Sequence, residues 1–385
     1  AATTLTEIWL VKKWQELLKT DLAIGLHHNF FELGGDSLIA TRTATSIRQH
    51  FQIDLPLHQF FAHPSIAELA NWIEQQDQQA IKVEKALPQI KPDPLHRFDT
   101  FPLNDIQQAY WLGRQGGFDL GNVACHFYVE VEGTSIDIQR LNQSWHKLIE
   151  RHDMLRMVIH ADGQQQVLQD VPYYNIPTLD LRGKTPQEIE QQWHETRNHL
   201  EAQVLPTEQW PLFELAAHII DDQNTRIYFS FDLLMGDVWS SLVLSKEWLQ
   251  LYQEPEIELT PLEVNFRDYV LAEKEILSSD IFNDQWSYWK KRLPSIPNAP
   301  DLPLAIKPSE IEKPRFVRCA YVLEKTPWQA LKQRAKSAGL TSSLVLCAVY
   351  AEVLARYSKQ SDFTLNLTLF NRLPLHPQVN EIVGD

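Results

Sequence analysis

Ile227-Tyr228-Phe229-Ser230-Phe231-Asp232 runs directly into Leu233-Leu234-Met235-Gly236-Asp237-Val238-Trp239-Ser240, and this stretch decides the fold of most of the chain. Ile227, Phe229 and Phe231 alternate with Tyr228, Ser230 and Asp232, the period of two that a β-strand imposes on its faces. One face of the strand therefore carries Asp232, and Asp237 follows in the loop beyond it. Two carboxylates so placed read in either of two ways. They form a general acid/base pair, or one is a buried Asp held by an Arg while the other caps the loop.

Working outward, Phe127, Val129 and Val131 alternate with polar neighbours as a second strand. Phe363, Leu365, Leu367 and Leu369, with Thr364, Asn366 and Thr368 opposite, predict a third. Leu141 to Ile149 spaces as a helix, so a mixed α/β layer structure is expected from about Phe101 onward. Trp328, Leu331 and Leu354 are expected in its core, and the apolar run Leu344 to Ala355 reads as a buried helix.

Residues 1–76 read instead as a small helical bundle. Leu5, Ile8, Val11, Trp14 and Leu18 predict one apolar face. Ala40, Ala44, Ile47 and Phe51 predict the inner side of a helix starting near Ser37. Ser65 and Glu68 have the spacing of a capping box ahead of Leu69 and Ile73. Within this unit lies Asn29-Phe30-Phe31-Glu32-Leu33-Gly34-Gly35-Asp36-Ser37-Leu38. The glycines allow a sharp turn, and Ser37 falls at a helix start. Read by itself this is a helix cap, with Phe30, Phe31 and Leu33 as core. From Gln75 onward the chain turns polar and then proline-rich through Pro102, which predicts an extended linker over residues 77–98.

Lys and Arg total 35 against 50 Asp and Glu, a net charge of -15 that argues against binding a nucleic-acid backbone or an anionic membrane. The 3 Cys are far apart, so neither a disulfide framework nor a zinc site is expected, and a cytoplasmic setting follows. No apolar run is long enough to span a bilayer. His27-His28 is expected in an exposed loop rather than at a metal. The opening Ala-Ala-Thr-Thr shows neither a Met nor a signal peptide, and a fragment of a longer chain is expected.

The decapeptide ending at Leu38 resembles the attachment site of thiolation (carrier) domains of nonribosomal peptide synthetases. That resemblance implies a 4'-phosphopantetheine arm on Ser37, where a helix N-terminus favours the added phosphate. Phe101-Pro102-Leu103-Asn104-Asp105-Ile106-Gln107-Gln108-Ala109-Tyr110 resembles the opening motif of condensation domains from the same synthetases. Arg151-His152-Asp153-Met154-Leu155-Arg156 with Asp162-Gly163-Gln164-Gln165 is similar to their second motif. Asn265 to Tyr269, Tyr288 to Pro294 and Phe363 to Asp385 are similar to later ones.

Condensation domains carry HHxxxDG at the strand end, and the second His serves amide formation. Here Asp232 stands for the first His, Leu233 for the second and Asp237 for the Asp. The resulting DxxxxDxxS, completed by Ser240, resembles the signature of the heterocyclisation branch, as do Asn366 to Arg372 and His376 to Val379. The resemblance implies a carrier (1–76), a linker (77–98), an N-terminal lobe (99–264) and part of a C-terminal lobe (265–385), the lobes chloramphenicol-acetyltransferase-like. It implies joining an upstream acyl thioester to Cys, Ser or Thr on a partner carrier, then cyclodehydration to a thiazoline or oxazoline, as in siderophore or related peptide assembly. A phosphopantetheinyl transferase, a loading adenylation enzyme and a downstream aminoacyl-carrier are the implied partners.

Asp232, Asp237 and Ser240 are the implied active-site residues, with Arg156, Arg372 and Asn371 in support. At least one Asp is expected to be structural, paired with Arg156 or Arg372, and Asp237 is the better candidate. For Asp232 catalytic and structural roles stay open. Ser240 is expected to be a loop hydrogen-bonding residue. Two alternatives stand beside this reading: condensation without cyclisation, and a noncatalytic carrier-docking scaffold.

Overall fold

The computed structural model describes residues 2–18, 20, 23–35, 37–51, 53, 55, 57–79, 87–115, 120–312, 314–317, 319–368 and 372–385. They divide into two compact units, Ala1–Leu87 with Phe370–Pro374, and Pro88–Leu369 with Leu375–Asp385.

In the first unit, helices α1 (Leu5–Leu18), α2 (Ser37–Phe51), α3 (Leu57–Ala62) and α4 (Ile66–Gln79) enclose one apolar cluster. Trp14 lies edge-on to Phe30 at 4.8 Å, and Phe30 edge-on to Phe60 at 5.0 Å, a geometry that favours aromatic pairs. Ala40 and Ile47 are buried, with Ala44 and Phe51 packed partly against them, as their spacing predicts. The expected face of α1 is corrected in part. Trp14 is buried and Val11 and Leu18 pack against the cluster as their spacing predicts, whereas Leu5 and Ile8 are exposed and Thr6, Leu10 and Leu17 complete the inner side. The start of α4 is fixed by the capping box: Ser65 Oγ donates to Glu68 at 2.6 Å, and Glu68 N donates back at 3.4 Å.

The second unit contains β1 (Phe101–Pro102), α5 (Asp105–Gly113), β2 (His126–Thr134), α6 (Ile138–Arg151), β3 (Met157–Ile159) and β4 (Gln164–Val167). It continues with β5 (Thr178–Asp180), α7 (Pro186–Glu201), β6 (Phe213–Ile219), β7 (Asn224–Asp232) and α8 (Val238–Gln253). Helices α9 (Phe266–Leu277), α10 (Asp280–Arg292), α11 (Lys325–Ser337) and α12 (Ser342–Tyr357) follow. The main sheet has the order β2-β7-β6-β5, antiparallel except for the β5–β6 pair. A smaller sheet runs β1-β4-β3. Trp145 of α6 fills the space against Phe213 and Phe229, and stacks obliquely on Trp248 of α8. The opposite face of β7 turns to α7: Tyr228 bonds His218, which bonds Thr196, and Ser230 bonds the Leu200 carbonyl. Both faces of β7 are thus covered, so Tyr228, Ser230 and Asp232 are buried along with the apolar set.

The strand expected at 363–369 is not formed among the described residues. Lys359 N donates to the Asp301 carbonyl at 3.1 Å and Thr364 N to Asn298 at 2.9 Å, with no ladder between them. The neighbouring chain contains Pro297 and Pro300, which have no N–H to contribute. Helix α12 forms where the apolar run predicts one but is not buried: Leu344, Val349 and Tyr350 are all exposed. Trp328, Leu331 and Leu354 are half-buried rather than core. Among the described residues no helix is long and apolar enough to cross a membrane.

Candidate functional site

The turn ahead of α2 is held by backbone. Phe30 N donates to the Pro64 carbonyl at 2.8 Å, and Gly35 N closes on the Phe30 carbonyl at 3.0 Å. Gly34 sits at φ +99°, the left-handed region that favours glycine, and a Cβ on Gly35 would run into the Phe30 ring. Helix α2 opens at Ser37 with no acidic residue in its first turn. A helix start has unpaired N–H groups and positive dipole charge, so a phosphodiester carried there fits these residues. Asp36 lies outside the described residues.

Asp232 closes β7 opposite His126 of β2. It is only 3% exposed and forms an ion pair with Arg114, whose side chain is 7% exposed. Its other oxygen accepts from Leu234 N at 3.0 Å and shapes the turn. Arg114 also donates from Nη1 to the Leu205 carbonyl at 3.0 Å. Burial pushes Arg114 down to about 10, which leaves it charged at neutral pH. Both oxygens of the Asp232 carboxylate are therefore engaged, one by Arg114 and the other by the turn.

Asp237 caps α8, accepting from Ser240 N at 2.7 Å. Ser240 Oγ lies 2.7 Å from the same carboxylate oxygen and 2.8 Å from the Gly384 carbonyl, and accepts from Gly384 N at 3.1 Å. Its single proton can serve only one of the two acceptors at a time. Gly236 leaves room for this knot, since a Cβ there would stand 2.8 Å from both Cβ and Oγ of Ser240. Ser240 is fully buried and ties the start of α8 to Asp237 and Gly384.

Sequence spacing left a second tie undetected. Gln107 and Gln165 form a reciprocal amide pair, at 3.0 and 2.8 Å. Gln107 further donates to the Leu234 carbonyl at 2.8 Å, and Gln165 to the Pro102 carbonyl at 3.0 Å. Asn104 caps α5 and donates to the Asp385 carbonyl at 2.7 Å. The first motif, the second motif, the Asp232 turn and the Val383-Gly384-Asp385 segment thus meet in one buried polar network. Tyr110 is nearby: burial first, then the charges of Asp385, Cys125 and Asp237, push its hydroxyl up, so it stays protonated.

The expected pairing of Arg156 with either carboxylate is corrected. Its guanidinium is taken up by Asp153 at 2.8 Å and by the carbonyls of Ile149, Glu150 and Leu168. The Asp232 partner is Arg114, whose only sequence signal is its place just after the first motif. Arg372 falls in the segment grouped with the helical unit, and Asn371 lies outside the described residues. His152 is buried and bonds Glu247 of α8 at 2.8 Å. His27 and His28 are exposed, and no cluster able to hold a metal ion occurs among the described residues.

Residues 98–385 match the condensation domain family. The chain belongs to that family. Residues 9–73 match the phosphopantetheine attachment site family, a domain that takes 4'-phosphopantetheine on a serine. The condensation domain, with its chloramphenicol-acetyltransferase-like fold, thus follows a helical carrier, the order found in nonribosomal peptide synthetases. Bacitracin synthase 1 of Bacillus licheniformis is 37% identical over 99% of this chain, which covers 7% of that protein. Pyochelin synthetase PchF of Pseudomonas aeruginosa is 36% identical over 77% of this chain, or 16% of its own length. Phenyloxazoline synthase MbtB of Mycobacterium sp. (strain MCS) is 33% identical over 74% of this chain, or 24% of its own. The chain therefore spans a small part of these relatives. Among solved structures, the EpoB NRPS cyclization-docking bidomain from Sorangium cellulosum matches with a TM-score of 0.74 and 37% identity. That match covers 83% of this chain and 63% of the other.

Proposed function

We propose that this segment carries an acyl group on Ser37 and that its condensation domain belongs to the heterocyclising branch, joining an acyl donor to Cys, Ser or Thr and closing a thiazoline or oxazoline. The observation that carries the reading is the strand-end turn. Leu233 stands where amide-forming domains place a base, and Asp232 is committed to Arg114. Relatives whose names speak of cyclization and of an oxazoline support it. When bound, 4'-phosphopantetheine supplies a flexible arm and a thiol for the acyl group.

The residues of this chain supply positioning. Arg114 fixes Asp232, and Asp232 fixes the turn at Leu234. Asp237, Ser240 and Gly384 fix the start of α8. Holding two substrates end to end yields large rate factors without a strong base. A phosphopantetheinyl transferase, an adenylating enzyme and an aminoacyl-loaded carrier are the partners this requires. A siderophore or related peptide is the product class, and Arg372 and Asn371 belong to the supporting set.

The test supplies the full chain with an acyl-loaded donor carrier and a cysteinyl-loaded acceptor, and reads product mass. Ring closure is expected to lose one water beyond amide formation. An amide that keeps that water would mean condensation only; no joined product would leave a docking scaffold.

A further inference from the structure

Residues 88–98, the second half of the proline-rich linker, are fastened along the condensation unit. Ile90 is 6% exposed, and its N–H donates to the carbonyl of the buried Leu375 at 3.0 Å. The Asp93 carboxylate lies 2.8 Å from His96 Nδ1 and 3.6 Å from Arg267 of α9. Arg97 holds the buried Asp153 with two nitrogens, Nε at 2.8 Å and Nη2 at 2.6 Å, the forked geometry that makes such pairs strong. Gln166 of β4 donates to the Phe98 carbonyl at 2.9 Å. Pro88, Pro92 and Pro94 restrict the backbone beforehand, so less entropy is lost in holding it down. Leu375, Arg267 and Asp153 come from three distant parts of the chain, yet all belong to the unit that contains the residues they hold.

A plain spacer needs none of these ties, and they shorten the tether. From Gln79, the last residue of α4, to the first tie at Ile90 the chain can span at most about 40 Å; to Phe98 it could span about 70 Å. We propose that residues 88–98 are a strap fixing the point from which the carrier swings, so that Ser37 delivers its acyl group to the condensation domain of its own chain, with Ile90, Asp93 and Arg97 as positioning residues. The inference rests on the reading that Ser37 carries the donor. Once a tether exceeds the span it must bridge, effective concentration falls roughly as the −3/2 power of its length, so loss of the strap lowers it about twofold.

The experiment loads Ser37 of the full chain with an acyl-phosphopantetheine arm and follows a single turnover onto a cysteinyl-loaded acceptor carrier. Free acyl-pantetheine, given to the chain with Ser37 unloaded, reports the same chemistry without the tether. Ile90→Ser combined with Arg97→Ala is expected to slow transfer from Ser37 about twofold and to leave the free-thioester rate unchanged. About eight Gly and Ser residues inserted after Leu87 lengthen the tether without touching the strap and should slow transfer from Ser37 equally. An unchanged rate from Ser37 in either variant, or equal losses with tethered and free donors, overturns the strap's role. Transfer from the free thioester alone would mean that Ser37 serves another domain, and also overturns it. A wild type that joins neither donor overturns the condensation reading instead. Hydrogen exchange at the Ile90 amide then decides the strap: protection that Arg97→Ala releases supports it, and exchange at the free-chain rate in the wild type overturns it.

Discussion

Two helix starts in this chain look alike in sequence and are built differently. Gly34-Gly35-Asp36-Ser37 opens α2, and Gly236-Asp237 with Ser240 opens α8. At the first, Gly34 has nothing within 4 Å of a would-be Cβ, and its φ of +99° is what demands glycine. At the second, Gly236 has no positive φ, and the demand comes from crowding by Ser240 and Phe231. One glycine serves a turn and the other serves packing. A similar string of small and acidic residues therefore opens one helix at the serine proposed to carry the added group and seals the other with hydrogen bonds.

The largest effect should separate the two serines. Ser37→Ala is expected to abolish the mass gain produced by a phosphopantetheinyl transferase, and Ser240→Ala to leave it intact, as read by intact-protein mass spectrometry. A full mass gain in Ser37→Ala would break the comparison at its root. Next comes the buried pair before α8. Asp232→Asn leaves Arg114 buried without its counter-charge and should cost about 3–5 kcal/mol in chemical denaturation.

The glycines themselves sharpen the contrast. Gly236→Ala forces overpacking and is expected to cost about 2 kcal/mol. Gly34→Ala strains only the backbone and should cost about 1 kcal/mol. Equal costs at the two positions would argue that both turns are conformational. The smallest effect is on acid stability further along α8. Burial pushes the Glu247 carboxyl up, but the hydrogen bond from His152 and the charges of His152 and Arg151 outweigh it and hold Glu247 below its usual range. A depressed folded pKa contributes stability above the unfolded value, near 4.3, and loses it as pH falls through the folded value. Glu247→Gln should therefore flatten the acid limb of the unfolding profile below about pH 4.5.

Much of the fold was legible because its elements announce themselves locally. The alternation of Phe127, Val129 and Val131 and of Ile227, Phe229 and Phe231 identified adjacent strands β2 and β7, and Ser65 with Glu68 marked the start of α4. What failed depended on distant neighbours. The segment at 363–368 alternates like a strand, but prolines at 297 and 300 deny it a ladder. The helix at α12 was readable, whereas its burial was not, because apolar composition does not say what covers it. At the site, Asp237 and Ser240 were named through the resemblance of the DxxxxDxxS string to the heterocyclisation signature, and they lie within one turn of each other. Arg114, Gln107 and Gln165 reach the Asp232 turn from far along the chain, and no local pattern encodes that meeting.

The Gln107–Gln165 pair has a consequence for conditions of use. Neither amide titrates and neither carries charge, so the clasp between α5, β4 and the Leu234 carbonyl has no dependence on pH and almost none on ionic strength. The Arg114–Asp232 pair beside it is held by opposite charges instead. One corner of the site is thus tied by two kinds of bond, and the neutral one keeps its geometry whatever the charge state of its neighbour.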